Sequence, residues 1–532
     1  MARVGRGAVV PPMTATGAPD EAAPANHGVA PEPIARPGAP DDARHAIARR
    51  VIANTAAPFV ATLAGRALAW VLAVVTARTL GPAGTGDYAI AVNLWVYAGI
   101  LADFGLGTWL TREVARTRGA GDRTGAAREV VATTLGVRLA LASVAALAMT
   151  AIAAVARAAG WIGTDLAWTM VLLAAGLLPG AVAAAASATY GAYERMGVPA
   201  VVSVIGAVAT TLAGTALLAS GAGIVGLGAT SLAVNVATAI AFAALARRDL
   251  VPLAVAWSRA GLVPLLRDSL PLMLNNLLNG VFFRIDVQVL SAWDRATVGH
   301  YASAYKVIDG VGGISSSFVL ALFPLLSRRA GRSDAPGAGL GRTYALALTI
   351  LVTVAMPVAV LLTWIAAPLS LLLWGEAFLP ESAVALQVLI WFLPLSFVNG
   401  LTQYVLIALG LQARITSAFA LAAAFNLGAN LLLVPAYGYV AAAATTIATE
   451  AILLIPFARA IATRMPLAPL AVACVRPLPG VAAATLVLLA GATVDPWFGT
   501  IGAAVAYPLA LWMTRAFAPE DLAMVASLAR RQ

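Results

Sequence analysis

Residues 86–91 read Gly-Asp-Tyr-Ala-Ile-Ala and residues 299–304 read Gly-His-Tyr-Ala-Ser-Ala, two copies of one Gly-x-Tyr-Ala-x-Ala pattern at a chain offset of 213. A proline stands at the same distance ahead of each copy, Pro58 before the first and Pro271 before the second. At the same offset Gly99 and Arg116 match Gly312 and Arg329, with no gap in between. Further along, at an offset of 215, Leu217, Gly223, Val225, Ala229 and Thr230 match Leu432, Gly438, Val440, Ala444 and Thr445. Alanine identities mean little in so alanine-rich a chain; glycine, tyrosine and proline at fixed spacing carry the repeat.

The solvent of the repeated unit follows from composition. Hydrophobic residues make up 61% of the 532 and charged residues 11%, against about 45–50% and 25% in soluble domains. A membrane span needs about 20 mainly apolar residues, and such runs follow one another from residue 51 almost to the end. The spans read as 51–79, 87–111, 129–156, 167–190, 198–219 and 224–246, then 265–292, 299–326, 343–373, 383–409, 415–435 and 439–462, and finally 476–493 and 497–515. The expectation is an all-α polytopic membrane protein of fourteen transmembrane helices. Each repeat unit holds six spans, an even number, so the two copies enter the membrane in the same sense: two parallel six-helix lobes plus a C-terminal helix pair. In segments this means a Pro- and Ala-rich disordered tail over 1–48, an N-lobe over 49–248, a C-lobe over 260–464, the last pair over 474–516 and a tail over 517–532.

Loop charges test the count, because cytoplasmic loops carry the Arg and Lys excess. The second loop holds Arg112, Arg116, Arg118, Arg123 and Arg128, the sixth Arg247, Arg248, Arg259 and Arg267, and the eighth Arg328, Arg329, Arg332 and Arg342. The odd loops 80–85, 220–223 and 435–438 have no basic residue, and the turn at Trp293 has only Arg295 beside Asp294. Both termini, with Arg49 and Arg50 at one end and Arg515, Arg530 and Arg531 at the other, therefore fall on the cytoplasmic side.

Several chemistries drop out. The lone Cys474 excludes an internal disulfide, and His27, His45 and His300 are too scattered for a metal site. The net charge of +10 sits in short loops rather than on one solvated face, which argues against nucleic acid. The odd loop 374–382, with Glu376 and Glu381, is too short to build an active site, and no phosphate-cradling glycine loop is present. No catalytic residue, metal or organic cofactor is expected; the function is not enzymatic.

Ionisable residues inside spans cost at least about 2.5–3.5 kcal/mol each at a helix centre and are functional candidates by default. Eight occur: Arg66, Asp103, Arg138, Arg284, Asp286, Lys306, Asp309 and Glu450. At about 1.5 Å per residue, Arg284 and Lys306 both lie roughly 10–12 Å below the outer surface on consecutive spans, positioned to face one cavity. Lys306 is the only lysine in the chain, a compact and titratable charge where every other basic residue is arginine. The competing reading pairs Arg284 with Asp286 or Asp309, and Lys306 with Asp309, as internal ion pairs that tie helices together. Arg138 and Asp103, nearer the cytoplasmic side, read as snorkelling or paired helix-end residues. Asn93, Asn235, Asn399, Gln403, Asn426 and Asn430, like Asn275, Asn276 and Asn279 on span 7, serve as interhelical hydrogen-bond glue on the plainer reading. Trp95, Tyr97, Phe282 and Phe283 read as packing.

The chain over 50–465 resembles bacterial polysaccharide-biosynthesis flippases of the multidrug/oligosaccharidyl-lipid/polysaccharide exporter superfamily. The likeness rests on Leu80-Gly81-Pro82, Gly86-Asp87-Tyr88 and Asp103-Phe104-Gly105-Leu106-Gly107 in the first half. In the second it rests on Ser269-Leu270-Pro271-Leu272, Arg284-Ile285-Asp286, Val298 to Lys306, and Leu432 to Gly438. The resemblance implies a central cavity that carries an undecaprenyl-pyrophosphate-linked oligosaccharide from the cytoplasmic to the outer leaflet of the bacterial inner membrane by alternating access. Arg66, Arg284 and Lys306 would receive the pyrophosphate. Asp286, Asp309 and Glu450, with Asn275 and Asn279, would be cavity or ion-coupling positions for H+ or Na+. A polysaccharide polymerase and glycosyltransferases would be its working partners. The alternatives are a small-molecule antiporter of the multidrug branch, whose cavities favour acidic residues, and a peptidoglycan-precursor flippase, from which only the glycan separates it.

Overall fold

The computed structural model describes residues 41–119, 125–250, 253–257, 259–331, 338–492 and 496–514. The expected C-terminal tail, most of the N-terminal one, and parts of the second, sixth and eighth loops lie outside the described residues, as do Arg515, Arg530 and Arg531. Asn54–Gln532 is one compact unit; the other, Met1–Ala53, contributes to the description only the opening turns of helix Asp41–Asp103. That helix starts inside the stretch expected to be a tail, because no proline follows Pro40 until Pro58 and the intervening Ala and Arg residues are strong helix formers.

The described residues are helical almost throughout, with no strand among them. Nine helices are long and apolar enough to cross a membrane, ten with the pair Glu381–Leu389 and Phe392–Ala408, which meet at 42°. Two of the nine are double: Asp41–Asp103 is broken at Gly81 and Gln412–Ala462 at Gly438. With the shorter Phe498–Met513 and the helix Arg259–Leu290, the spans come to the fourteen expected. Arg259–Leu290 falls outside the nine because it carries Asn275, Asn276, Asn279, Arg284 and Asp286. Span 13 starts at Ala468, not at 476: Pro477 divides it into Ala468–Val475 and Leu478–Ala492 without ending it. A proline inside a span loses one backbone bond, which is tolerable where neighbouring groups re-satisfy the freed carbonyl.

The repeat is visible in the backbone. Gly223 and Gly438, partners at the 215 offset, both sit at φ 59 where a helix begins anew, a conformation that glycine enters without the steric penalty a Cβ brings. Each lobe also has its own apolar interior. One cluster of buried residues runs from Ala91 to Ile224 and a larger one almost entirely from Phe282 to Ala473. Between the lobes, helices Leu106–Gly119 and Gly125–Ala158 touch Arg259–Leu290.

At the ends of spans 1, 2, 7 and 8 remote from the arginine-rich loops, the lobes meet backbone to backbone. A Cβ on Gly86 would fall onto the carbonyl of Arg295 and 3.0 Å from the amide of Gly299; one on Gly299 would fall onto the carbonyl of Pro82 and 3.1 Å from the amide of Gly86. The two glycines are repeat partners, so the pseudo-two-fold axis passes between them. Two arginines brace this contact. Arg295 Nε lies 3.4 Å from Asp87 Oδ1, and its Nη2 donates to the Trp161 carbonyl at 3.0 Å. Arg78 donates to the carbonyls of Leu372 and Leu373 in the last turn of Ala366–Trp374, where carbonyls lack intrahelical partners and cations are favoured. Asp294 caps the following helix, accepting from Thr297 N at 2.7 Å; this backbone bond holds its carboxyl below the usual range.

Replacing Gly299 by Val leaves no room for the close approach and should open this end. In a Cys474→Ala background carrying Thr85→Cys, the new thiol is expected to react several-fold faster with a membrane-impermeant maleimide when Gly299→Val is added; equal rates would show that the glycine contact does not close it.

Candidate functional site

Below this contact two cavities adjoin where spans 1 and 2 face spans 7 and 8. The first, of about 290 Å³, is lined among others by Asn93, Arg284 and Lys306. The second, of about 310 Å³, is lined by Arg66, Ser315, Ser316, Gln403 and Tyr404 on its polar side. Phe283, Tyr305 and Asp309 line both and mark their boundary. The structure thus brings together Arg284 and Lys306, as their depths required, and places Arg66 next door, its guanidinium lying against Gly313 of span 8.

The internal ion pairs expected on the competing reading do not form. Among the described residues no carboxylate pairs with Arg66, Arg284 or Lys306. Arg284 Nη1 instead donates to Asn93 Oδ1 at 3.1 Å, and Asn93 Nδ2 donates to the Ala89 carbonyl at 3.0 Å. Asn93 is the repeat partner of Lys306 at the offset of 213, and Arg66 is in the same way the partner of Asn279. Pseudo-symmetric positions therefore build the cavity, with neutral amides opposite cations. All three cations lie within electrostatic reach of the Asp309 carboxylate.

The remaining candidates separate from the cavities. Asp286, 3% exposed, is buried within the C-lobe. There it accepts from Tyr301 Oη and, at 2.9 Å, from Val287 N, while Tyr301 Oη lies 3.3 Å from Thr446 Oγ1. Glu450, 2% exposed, accepts from Asn399 Nδ2 at 2.7 Å, and the same amide reaches the Glu450 carbonyl at 2.8 Å. Asn426 donates to Thr449 Oγ1 at 3.1 Å, and Asn430 donates to Asn426 Oδ1 at 2.9 Å. These contacts form a polar seam through spans 7, 8, 10, 11 and 12, with the side-chain carbonyl oxygens of Asn399 and Asn430 left without a partner among the described residues. Asn275 and Asn279 are half-buried on span 7 and line neither cavity.

Sequence reading took Asn93 as interhelical glue and Phe283 as packing, and named Tyr305 only within the family motif and Trp374 only as the start of a loop. For Asn93 a signal existed in its repeat correspondence with Lys306. For Trp374, which ends a helix of the other lobe far along the chain from Thr76 and Thr85, none did, since tertiary packing alone brings it to the cavity wall.

Chemically the arrangement can receive an anion. Unpaired cations in a low-dielectric seam gain strongly from an anionic ligand: two unit charges about 4 Å apart attract by about 4 kcal/mol at an effective dielectric near 20. Two parallel six-helix repeats with a charged cavity between them define a polytopic α-helical membrane protein of two pseudo-symmetric lobes. The model of the family of polysaccharide biosynthesis proteins matches residues 51–329, and the chain belongs to that family. Among solved structures the fold is similar to a lipid II flippase, MurJ, in an inward closed conformation, at 12% identity and a TM-score of 0.67 over 86% of this chain and 98% of that one. It is similar also to a multidrug resistance MATE family transporter of the MOP superfamily in an inward-facing conformation, at 18% identity and a TM-score of 0.60 over 77% of this chain and 97% of that one. No curated protein matches in sequence.

Away from the cavities, Arg138 and Asp103 form an ion pair within the N-lobe. The Arg138 side chain is 5% exposed, so it is paired rather than snorkelling. Removing one member strands the other, and Asp103→Asn is expected to destabilise the protein by about 3–5 kcal/mol. Adding Arg138→Leu should recover part of that loss in detergent melting experiments.

Proposed function

We propose that this protein is a transporter that carries an undecaprenyl-pyrophosphate-linked oligosaccharide across the bacterial inner membrane, with both termini cytoplasmic. The observation that carries this reading is the set of three cations, Arg66, Arg284 and Lys306, facing two adjoining cavities at the repeat boundary with no carboxylate paired to them among the described residues. A pyrophosphate supplies the missing negative charge in a compact group with many acceptor oxygens, suited to bidentate arginine and to a lysine point charge. The lipid tail remains in the bilayer while the lobes rock about their shared axis, opening one end and closing the other.

Coupling to H+ or Na+ would fall to the buried carboxylates. Asp309 stands at the boundary of the cavities, where its charge meets the cations that hold the substrate. Asp286 and Glu450 lie in the C-lobe seam among neutral donors, and an ionised carboxylate buried without a cation is costly; each would hold a proton or a metal cation in part of the cycle. Asn275 and Asn279, which line neither cavity, would offer amide oxygens to a coupling ion from span 7. A small-molecule antiporter shares this fold, but an excess of unpaired cations over carboxylates in the cavity suits an anion better than a cationic drug.

In proteoliposomes the parent protein is expected to move a labelled undecaprenyl-pyrophosphate oligosaccharide between leaflets. Lys306→Ala and Arg284→Ala should each slow this at least about tenfold, the worth of one charge-assisted hydrogen bond. Equal rates in folded variants would make these cations structural, and a parent that moves no such lipid would favour the antiporter.

A further inference from the structure

Spans 2 and 7 come from different lobes and lie against each other as an antiparallel pair, their contacts advancing along one as they retreat along the other. Near the inner end a Cβ on Gly105 would fall 2.6 Å from Leu272 Cβ and 2.9 Å from the Ser269 carbonyl. Further out, Gly280 faces Ile100, and Tyr97 Oη donates to the Gly280 carbonyl at 3.4 Å. One helical turn beyond, Arg284 Nη1 donates to Asn93 Oδ1 at 3.1 Å, the one hydrogen bond between side chains of the two spans among the described residues. Hydrogen bonds with an ionised partner are roughly twice as strong as neutral ones. The Arg112–Asp268 pair at the cytoplasmic end, 3.7 Å apart with both side chains at least half exposed, is weak by comparison. Asn93 is only 6% exposed, and its Nδ2 donates to the Ala89 carbonyl one turn earlier at 3.0 Å, which aims Oδ1 at Arg284.

We infer that Asn93 is a positioning residue that latches the empty protein: it holds Arg284 across the lobe boundary and yields it to the anion. The inference rests on the pyrophosphate reading of Arg284. Asn93, Arg284, Lys306 and Asp309 line one cavity, so an anion drawn to the two cations arrives beside the Asn93–Arg284 bond. A phosphate oxygen carries charge where an amide oxygen carries only a partial one, and a guanidinium can meet a phosphate with two parallel N–H bonds. As Arg284 turns to the phosphate, Asn93 loses its partner and the lobes lose the bond that joins them at this depth. Linkage makes the effect reciprocal: closing the seam weakens anion binding by the same factor by which the anion loosens the seam. The repeat shows why an amide suits the position. Lys306 occupies in the C-lobe the place of Asn93 in the N-lobe; a second lysine at 93 would repel Arg284, and a carboxylate would hold it too firmly for the anion to compete. An amide oxygen accepts from Arg284 and can be displaced.

The test measures binding of radiolabelled undecaprenyl pyrophosphate to the full chain in nanodiscs, for the parent and two variants. Asn93→Leu frees Arg284 and is expected to bind the lipid about tenfold more tightly than the parent, the worth of one net hydrogen bond to a charged group. Asn93→Asp keeps the shape of the side chain but pairs with Arg284 and repels the phosphates, and should bind at least about tenfold more weakly. A side chain that served packing alone would shift the two variants in the same direction or not at all. In the Cys474→Ala, Thr85→Cys background without lipid, adding Asn93→Leu should also speed reaction with the impermeant maleimide several-fold. An Asn93→Leu protein that binds no more tightly and labels no faster than the parent, or an Asn93→Asp protein that binds as tightly as the parent, overturns the latch while leaving the pyrophosphate reading standing. A parent that does not bind the lipid overturns both.

Discussion

Gly86 and Gly299 meet at the pseudo-two-fold axis, and much of the structure follows from that contact. Two backbones approach so closely only where neither residue has a Cβ, and the same pair of positions in the two repeats supplies both glycines. The contact fixes how spans 1 and 2 of one lobe face spans 7 and 8 of the other, and so decides which side chains look into the space beneath. Arg78, Asp87 and Arg295 then brace it with bonds across the lobe boundary. Because the bracing groups are few and polar while each lobe has its own apolar interior, the boundary is the weak plane of the molecule. A rigid-body rocking of the lobes would break there first.

The treatment of charge divides along the same plane. Inside the N-lobe, Arg138 is neutralised by Asp103. Inside the C-lobe, Asp286 and Glu450 are surrounded by hydroxyls and amides. Of the cations set within the spans, those at the lobe boundary stand without a paired carboxylate among the described residues. There the repeat has placed amides where its other copy has charge: Asn93 opposite Lys306, Asn279 opposite Arg66. A duplicated six-helix unit would have begun with equal residues at these positions; the present chain is symmetric in its helices and asymmetric in its charges. An anion reaching from one lobe towards the other would be met by that asymmetry, with the C-lobe holding two of the three cations.

Fold and site were legible in the sequence to different depths. Fourteen spans could be counted because hydrocarbon demands long apolar runs and the arginine-rich loops fall on alternate sides. The errors lay at ends, where span 13 was started at 476 though it runs back across Pro477 to Ala468, and where the helix beginning at Asp41 was read as tail. Arg284 and Lys306 could be assigned to one cavity from depth alone, since two consecutive spans with charges at equal distance from one surface have few other arrangements. Asp286 could not be placed: two positions on from Arg284, it points into the C-lobe rather than the cavity. A helical register read without a known packing face does not distinguish the two directions.

By itself, the sequence determined the membrane class, the number of spans, the repeat and the identity of the costly charges, because the bilayer constrains those features residue by residue along the chain. The tertiary structure alone decided that the cations go without carboxylate partners, that Arg284 rests on the amide of the opposite repeat, and that Trp374, from the far end of span 9, completes a cavity begun by span 1. Those facts depend on distances between helices far apart in sequence. Such distances are set by how side-chain volumes interlock across a lobe boundary, and no periodicity along one chain records them.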